Sequence, residues 1–486
     1  MTRDHMTSAG SDSIDTQSLD HSRLELRWHE SAERAHAMRL WNMLAESLEH
    51  GPSLTCSPAW VETWLDQYGD LVPHRFVAGY SAEGTLRGMA LLCEGVEEHE
   101  GPFPVRTLHL GTAGEPEADS VVVEYNRLLA DSRWHPIFLR DVLQAMAEDG
   151  SCDELRLDGF SLNDFSVVSK SLQPLQLRKE VRTVVSWYFD LDAARAEGGE
   201  VISHLGYSTR KHLRKNLRWY TSEGGELTSE WAESVEEAED IFAEMVQLHQ
   251  QRWEAAGHPG VYSSERFMRF HQELLRRLVP AGKMVLFRVK CGTELVGCVQ
   301  LLVDGRRVLA YQGGFAAYDS KHSPGVVVDY LCISECLKRG YSAFDFLGGE
   351  SSHKQKLSTD SAKLVWVRLK HPRLKYAFAQ VGRLLKYGSR TAPSATPPQN
   401  GTIRVREVNS LEDLAPLRED WNRLLARTAD ATWLQSYEWF TEHHRLYCSS
   451  SRMRVLVVED EGHPIGIMPL VLKTVPTSLG EMSCLT

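Results

Sequence analysis

Residues 318–349, YDSKHSPGVVVDYLCISECLKRGYSAFDFLGG, carry the clearest fold signal in this chain. Ser323 is typical of a helix N-cap and Pro324 of the first helical position, so a helix is expected to begin at about Gly325. The apolar positions that follow, the glycine after them and the run AFDFL before two glycines predict a helix and then a buried strand. The stretch therefore predicts an α/β unit in which a helix start lies near a strand end.

A helix start of this kind attracts anions, because its first N–H groups lack partners and carry the positive end of the helix dipole. Lys321 and His322 add charge directly before it. The candidate residues for binding the phosphate of a carrier are therefore Lys321, His322, Ser323, Pro324 and Gly325. The local sequence by itself favours the alternative, which is an ordinary capped helix without a ligand.

The strand after this helix leads into residues that are suited to chemistry. Asp345 lies between two phenylalanines, and a buried carboxylate there needs a hydrogen-bond or charge partner. The chain continues through further candidates at a sheet edge where α/β proteins commonly bind ligands, namely Gly348, Gly349, His353, Lys354 and Lys356. Asp345 and His353 are candidates for proton transfer, and the glycines and lysines for substrate binding. A structural Asp345 with solvated lysines remains the alternative.

A basic segment, STRKHLRKNLRWY at 208–220, precedes this region. On a helix Arg210, Arg214 and Arg218 share one face, which suits phosphates or an anionic substrate. Arg210 and Arg214 are therefore candidate substrate-binding residues, and a solvated basic face is the alternative. The aromatic pair at 219–220 is expected to cover the core rather than to stack on a base.

The composition limits the classes of partner. Of the 486 residues, 42% are hydrophobic and 25% are charged, as in typical globular domains. The formal net charge of -12 argues against DNA as a partner, because no broad positive surface is expected to neutralise phosphates. No stretch approaches the ~20 apolar residues that a membrane-spanning helix needs.

The N-terminus and the cysteines predict a cytoplasmic protein. The first 22 residues are polar and lack an apolar signal core, which predicts a disordered leader. The nine cysteines form no C-x-x-C pair or Cys/His cluster, so no metal site is expected. The absence of known nucleotide, zinc and serine-hydrolase motifs leaves the helix–strand region as the candidate site.

An internal repeat organises the chain. Trp41-Asn42 corresponds to Trp421-Asn422, SPAWVETW at 57–64 to SYEWFTEH at 436–443, and LRGMALL to PIGIMPL. These matches occur in the same order at a nearly constant offset. They predict one complete module and the beginning of a second.

The order of the motifs resembles one family. A basic R-x-x-L-R helix, a long helix ending in L-H-x-x-R-W-x-x-x-G, ELVGCVQLLV, AYQGGFAAYDSKHSPG and RGYSAFDFLGG follow one another between residues 205 and 370. This is similar to the acetyltransferase-like branch of the GNAT superfamily that is associated with cellulose or exopolysaccharide biosynthesis and related to the FemAB peptidyltransferases. The resemblance is weaker over 24–185.

The resemblance implies an α/β (α+β) fold with tandem GNAT-like lobes, each a mixed β-sheet flanked by helices. The predicted organisation is a leader at 1–22, an N-terminal lobe at 23–185, a C-terminal acyltransferase lobe at 186–385, a linker at 386–402 and an incomplete second copy of the N-terminal lobe at 403–486.

The resemblance also implies N-acyl transfer from acetyl-CoA to a small-molecule or saccharide-linked amine. KHSPGV occupies the place of the family's glycine-rich phosphate turn, and the segment from Gly349 to His353 and Lys354 replaces the usual Gly-x-x-x-x-Tyr-Lys. Two alternatives remain open. One is a FemAB-like transferase that uses aminoacyl-tRNA bound through Lys354, Lys356 and residues 210–218. The other is a non-catalytic binding module with the same fold.

Overall fold

The computed structural model describes residues 23–376 and 403–485, except 101, 171, 173–176, 224, 318–321, 350, 429–431, 448–451, 461–462 and 478–479. The predicted leader, the predicted linker and Lys321 lie outside the described residues. The chain divides into two units, Met1–Leu385 and Lys386–Thr486.

One 13-stranded mixed sheet organises the first unit. Its order is β1-β2-β3-β6-β8-β15-β9-β14-β13-β12-β11-β10, with β7 also paired to β3, while β4 and β5 form a separate hairpin. The strands are β1 (Glu25–Glu30), β2 (His74–Tyr80), β3 (Leu86–Glu94), β4 (His99–Glu100), β5 (Phe103–Pro104), β6 (Thr107–Leu110), β7 (Leu129–Ala130), β8 (Glu154–Ser161), β9 (Arg178–Asp190), β10 (Leu227–Trp231), β11 (Met284–Cys291), β12 (Glu294–Asp304), β13 (Arg307–Phe315), β14 (Ala343–Gly348) and β15 (Asp360–Lys370).

Ten α-helices are described in the first unit. They are α1 (Arg34–Ser47), α2 (Pro58–Tyr68), α3 (His135–Asp149), α4 (Leu162–Ser169), α5 (Leu191–Glu197), α6 (Tyr207–Glu223), α7 (Val235–Ala255), α8 (Glu265–Leu278), α9 (Pro324–Lys338) and α10 (Ser352–Leu357). The predicted helix start is confirmed, with Ser323 as N-cap and Pro324 first in α9. None of the described helices has the length and apolar character that a membrane span requires.

The long strand β15 joins the two lobes through backbone hydrogen bonds. It pairs with β8 on one side and along its full length with β9 on the other, and β9 also pairs with β14. The predicted boundary between residues 185 and 186 falls inside β9. The two predicted lobes are therefore halves of one continuous sheet rather than separate bodies.

Alternating strand residues supply separate apolar clusters. Met89 and Leu91 on β3 pack with α1, α2, α7 and α8 in a cluster that spans both lobes. Ala90 and Leu92 point the other way and pack with α3 and α4. A third cluster joins α5, α6 and α9 to β11, β12 and β14. This period-two pattern follows from strand geometry and places helices on both faces of the sheet.

Phe138 of α3 approaches the sheet so closely that two paired glycines are required beneath it. Gly79 and Gly88 are register partners on β2 and β3. A Cβ on either would lie 2.8 Å or 2.5 Å from the Phe138 ring. The absence of these side chains lets the ring pack directly on the backbone, which fixes α3 against β2 and β3.

The second unit repeats the opening of the first. Its strands β16 (Ile403–Val408), β17 (Arg452–Asp460), β18 (His463–Thr477) and β19 (Gly480–Leu485) form an antiparallel sheet, with helices Leu411–Leu414, Arg418–Arg427 and Tyr437–Tyr447. In both units a buried Trp indole N–H donates to a backbone carbonyl at 2.9 Å, from Trp41 to Cys56 and from Trp421 to Gln435.

The strand register extends this correspondence. Gly466 pairs with Val458 on β17, as Gly88 pairs with Gly79. Among the described residues, a Cβ on Gly466 would meet only Val458, at 3.7 Å. The two glycines thus occupy equivalent strand positions, but only Gly88 lies under an aromatic ring.

This difference makes Gly88→Ala a sensitive test of the packing of α3. The new methyl group would overlap Phe138, and we expect a loss of about 1–3 kcal/mol in the free energy of unfolding. Gly466→Ala is the matched control and should raise stability by roughly 0.5–1 kcal/mol, because alanine restricts the unfolded chain. Thermal and denaturant unfolding would measure both. Equal effects of the two substitutions would contradict the packing described here.

Candidate functional site

Two parallel strands separate at the centre of the C-terminal lobe. β13 and β14 pair only over Arg307–Leu309 and Ala343–Asp345. Beyond this point β13 carries a bulge at Tyr311 against β12, and β14 next pairs with β9, at Gly348. The two strands therefore leave an opening between them, and the backbone of β13 beyond Leu309 is not hydrogen-bonded to β14.

A cavity of about 510 Å³ lies beside this opening. It is built from the C-terminal half of α7, the end of β13, the start of α9 and the start of α10. The lining residues are Leu248, Gln251, Arg252, Ala255, Phe315, Ala316, Ala317, Ser323, Gly325, Ser351, His353 and Lys354. The structure thus brings together the predicted Ser323, Gly325, His353 and Lys354.

The cavity is positive in a protein that is negative overall. Arg252, His353 and Lys354 line it, and no carboxylate does among the residues described, whereas the chain carries a formal charge of -12. Such a local reversal concentrates anionic ligands. The sequence reasoning missed Arg252, although it lies in the L-H-x-x-R-W motif at the end of α7.

The start of α9 presents backbone donors to this cavity. The Ser323 N–H donates to Asn216 Oδ1 of α6 at 3.0 Å, and Ser323 makes no side-chain cap. Pro324 has no N–H, so Gly325 supplies the first helical N–H group that lacks an intrahelical partner. A Cβ on Gly325 would come within 3.9 Å of His353 and Phe315, so glycine keeps this corner of the cavity open.

His353 forms a close pair with Asp329 of α9. Its Nε2 lies 2.6 Å from Asp329 Oδ2. Burial lowers the pKa of His353, but the hydrogen bond and the charge of Asp329 outweigh burial, so the pKa lies above its ordinary value. Asp329 was missed by the sequence reasoning, although a lone carboxylate within the apolar run VVVDYLC was an available signal.

Lys354 is held against the backbone at the end of β14. Its Nζ donates to the carbonyls of Gly348 at 2.7 Å and Leu347 at 3.3 Å. Burial lowers the pKa of Lys354. Leu347 has a φ of 60°, a left-handed conformation that is strained for a leucine. The ammonium group therefore stabilises a strained strand end next to the cavity.

The N-terminal lobe also fixes this strand end. Glu124 Oε2 accepts a hydrogen bond from the Gly348 N–H at 2.7 Å. Burial raises the pKa of Glu124, while the charge of Lys354 opposes this shift. The Gly348 peptide is thus held from both sides, by Glu124 and by Lys354. Gly349, with a φ of 121°, makes the turn that follows.

Asp345 lies outside the cavity lining and is fully buried. Its carboxylate accepts hydrogen bonds from Tyr125 Oη at 2.6 Å, Ser186 Oγ at 2.7 Å and the Leu347 N–H at 2.7 Å. The guanidinium of Arg307 completes the set, with Nε at 2.8 Å. The expected charge partner is therefore Arg307. The role of Asp345 in proton transfer stays a prediction, and its contacts indicate a structural anchor.

The basic helix α6 lies beside the cavity rather than in its lining. Arg210 donates to the Ser203 carbonyl at 3.1 Å, Arg214 is exposed, and Lys356 is exposed on α10. His322 stacks on Trp219 with ring centroids 4.3 Å apart. Of the two aromatic residues expected to cover the core, Tyr220 packs against the third apolar cluster, whereas Trp219 is 38% exposed.

The corresponding strand pair of the N-terminal lobe is closed. β6 and β8 pair in parallel over Thr107–Leu110 and Glu154–Leu157. Beyond them Asn126 Nδ2 donates to the carbonyls of Leu110 at 3.0 Å and Asp158 at 3.1 Å. This side chain fills the gap that stays open in the C-terminal lobe. No group of His, Cys, Asp and Glu side chains suited to a metal occurs in the described part of either lobe.

Comparison with known proteins agrees with this geometry. Residues 207–355, which contain the cavity lining, match the family model described as an acetyltransferase (GNAT) domain. The matched residues lie within the predicted C-terminal lobe. The mixed α/β architecture with tandem GNAT-like lobes is thus the one expected from the sequence. No curated protein matches the sequence significantly.

Several solved structures resemble a large part of this chain. FemX is 13% identical with a TM-score of 0.46, and the match covers 72% of this chain and 99% of FemX. L-PGS from Bacillus licheniformis is 13% identical with a TM-score of 0.44, covering 72% and 96%. A tandem GNAT protein from the clavulanic acid biosynthesis pathway is 11% identical with a TM-score of 0.37, covering 72% and 100%.

The contacts of Asp345 predict a structural phenotype for Asp345→Asn. Removing the charge would leave Arg307 without its buried partner, at a cost of about 3–5 kcal/mol in the free energy of unfolding. Asp360→Asn is the control, since exposed Asp360 accepts hydrogen bonds from Tyr188 Oη at 2.9 Å and from the Ser361 N–H at 2.6 Å, and its substitution should change stability by less than ~0.5 kcal/mol. Denaturant unfolding measures both variants. Unchanged stability with lost transferase activity would instead assign Asp345 to the chemistry.

Proposed function

We propose that the protein is an N-acyltransferase that moves an acyl group from acyl-CoA to an amine. The observation that carries this proposal is the positive cavity at the diverging strands, where a helix start and the His353–Asp329 pair meet. The match of residues 207–355 to the acetyltransferase (GNAT) family supports the same reaction class.

The residues of the cavity fit a phosphate-bearing thioester. The first unpaired N–H groups of α9 and the cation of Arg252 suit the phosphates, and no carboxylate in the described lining opposes them. Apolar surface for the pantetheine arm of the donor is supplied by Phe315, Leu248 and Ala255. When bound, such a thioester supplies the activated acyl group.

His353 is the proposed proton acceptor. Asp329 binds its Nε2, which leaves Nδ1 as the nitrogen that can take a proton from the attacking amine. The amine nitrogen forms a bond to the carbonyl carbon of the acyl group, and the C–S bond of the thioester breaks. The proton that the amine loses passes through His353 to the departing thiolate. Asp329 acts as a positioning residue, because it orients the ring and stabilises its protonated form.

Backbone N–H groups of β13 are the proposed donors to the carbonyl oxygen. The strand is unpaired with β14 beyond Leu309, and the bulge at Tyr311 turns the local backbone. Lys354 is already bound to the carbonyls of Leu347 and Gly348. We therefore assign Lys354 to holding the strand end and to the positive potential of the cavity.

The acceptor is proposed to be a small-molecule or saccharide-linked amine of envelope or exopolysaccharide biosynthesis. This part of the proposal rests on the family resemblance of residues 205–370. A cytoplasmic location follows from the same proposal, because acyl-CoA is a cytoplasmic donor.

A second candidate is aminoacyl transfer from tRNA. The observation that favours it is the exposed basic face of α6, where Arg214, Lys215 and Arg218 are exposed. A transfer assay with each donor distinguishes the two candidates. If the donor is aminoacyl-tRNA, its binding should also fall steeply with salt, because many phosphate contacts are involved. Transfer from aminoacyl-tRNA without transfer from acyl-CoA would replace the first proposal.

The His353–Asp329 pair predicts a specific pH dependence. Only neutral His353 accepts a proton, and its pKa is raised, so kcat should rise with pH through a value above the ordinary ~6.5. In Asp329→Asn the contribution that raises the pKa is lost, and the acidic limb should move to lower pH. His353→Gln should lower kcat by about 10²–10⁴. Identical pH profiles for the wild type and Asp329→Asn with the same acceptor would rule out this role.

The position of Gly325 at the start of α9 predicts that a large side chain there prevents binding of the acyl-CoA donor. In Gly325→Leu the side chain would enter the space beside His353 and Phe315, and we expect at least a tenfold weaker binding of acetyl-CoA. Gly206→Ala is the matched control, because a Cβ there meets nothing within 4 Å. Thermal shift and isothermal calorimetry measure both variants. Undiminished binding in a folded Gly325→Leu protein would place the donor elsewhere.

A further inference from the structure

The exposed face of α6 combines an aromatic ring with two rows of cations. Lys211, Lys215 and Trp219 follow one another at four-residue intervals and share one stripe of the helix. Arg214 and Arg218 form the adjacent row. All five side chains are exposed, while Leu213 on the opposite face is fully buried. The helix thus presents a basic surface that ends at an indole ring.

These cations are not neutralised within the described residues. None of Lys211, Arg214, Lys215 and Arg218 forms an ion pair with a described carboxylate, whereas many other surface arginines do, such as Arg276 with Glu239 at 2.8 Å. An unpaired basic face in a chain of net charge -12 costs self-repulsion, which a bound polyanion would relieve. The charge therefore points to a phosphate-bearing ligand.

The surface is continuous with the candidate site. Asn216 of α6 binds the Ser323 N–H at 3.0 Å, and Ser323 lines the cavity. His322, which precedes it, stacks on Trp219 with an interplanar angle of 11°. Trp219 itself is outside the cavity lining. Trp219 thus contacts the residue before the start of α9, whereas His353 lies beside Gly325 within α9.

We propose that Trp219, Lys215 and Arg218 bind the adenosine-phosphate end of the acyl-CoA donor. His322 is stacked on the Trp219 indole and Tyr220 packs against it in a T-shaped contact, so the purine would stack on the part of the ring that stays exposed. Neighbouring cations suit the phosphates of the ligand. The acyl arm would then pass Ser323 and Gly325 to reach His353. This assignment rests on the proposed function and names the part of the donor that α6 recognises.

The separation of Trp219 from His353 favours CoA over RNA. In acyl-CoA the adenosine lies at the far end of a long arm from the reacting carbonyl. In aminoacyl-RNA the acyl group is attached to the terminal adenosine itself, so its base would have to lie next to His353. An adenosine site beyond the α9 start fits the first arrangement.

The first experiment measures binding of adenosine 3′,5′-bisphosphate by tryptophan fluorescence and calorimetry. We expect Trp219→Leu to raise its Kd about tenfold or more, since base stacking is worth ~1–3 kcal/mol. Lys215→Gln should also raise the Kd about tenfold, because it removes a cation that binds phosphate. Trp433→Leu and Lys338→Gln are matched controls, because Trp433 is 66% exposed in the second unit and Lys338 is an exposed lysine of α9. Both controls should bind as the wild type does.

The second experiment compares acetyl-CoA with acetyl-4′-phosphopantetheine, which lacks the adenosine. The wild type should show at least a tenfold higher KM for the truncated donor. In Trp219→Leu this ratio should fall towards one, with kcat retained. If neither donor supports transfer, the proposed function fails, whereas equal KM values for both donors in an active wild type overturn only the adenosine site.

A third measurement tests RNA as the occupant. A single-stranded oligonucleotide ending in CCA should bind no more tightly to the wild type than to Trp219→Leu. Tight oligonucleotide binding that Trp219→Leu and Lys215→Gln abolish, without binding of the bisphosphate, would overturn the proposal in favour of an RNA surface. Circular dichroism and melting temperatures matching the wild type establish that each variant is folded.

Discussion

The buried ion pair of Arg307 and Asp345 is the constraint on which the rest of the site depends. Arg307 lies at the start of β13 and Asp345 in β14, where the two strands are paired. Tyr125 from the N-terminal lobe donates to the same carboxylate, and the Arg307 guanidinium lies over the rings of Tyr125 and Tyr188. A charge buried this deeply is tolerated only with a full set of partners, so the two strands and the two lobes are fixed together at this point.

The opening between the strands follows from this anchor. β13 and β14 are held together at Asp345 and diverge directly after it, where the pairing of β14 with β9 also shifts register before Gly348. The Gly348 peptide is then bound by Glu124 on one side and by Lys354 on the other. A cavity in the C-terminal lobe is therefore shaped partly by residues of the N-terminal lobe, which gives a physical reason why the two lobes share one sheet.

The repeated architecture shows how one pattern can lead to different outcomes. Both lobes contain a parallel strand pair, but Asn126 fills the gap in the first, while the corresponding gap in the second adjoins the cavity. The second unit repeats the Trp hydrogen bond and the strand glycine of the first, yet no ring of the described residues packs on Gly466 as one does on Gly88. The backbone geometry is similar in the copies. Side chains from other elements, such as Asn126 and Phe138, decide whether a gap between strands is filled and whether a strand glycine is covered.

The sequence by itself determined the features that depend on neighbouring residues. The start of α9 could be read from Ser323 and Pro324, because N-caps and first-turn prolines act within one turn. The need of Asp345 for a partner was equally local, because a carboxylate in an apolar strand cannot stay unpaired. Tertiary structure alone decided that this partner is Arg307 and that Asp329 pairs with His353, since such contacts join strands and helices that no local pattern relates. For the same reason the contact of the α6 indole with His322 could not be read from the sequence, because it depends on the packing of α6 against the start of α9.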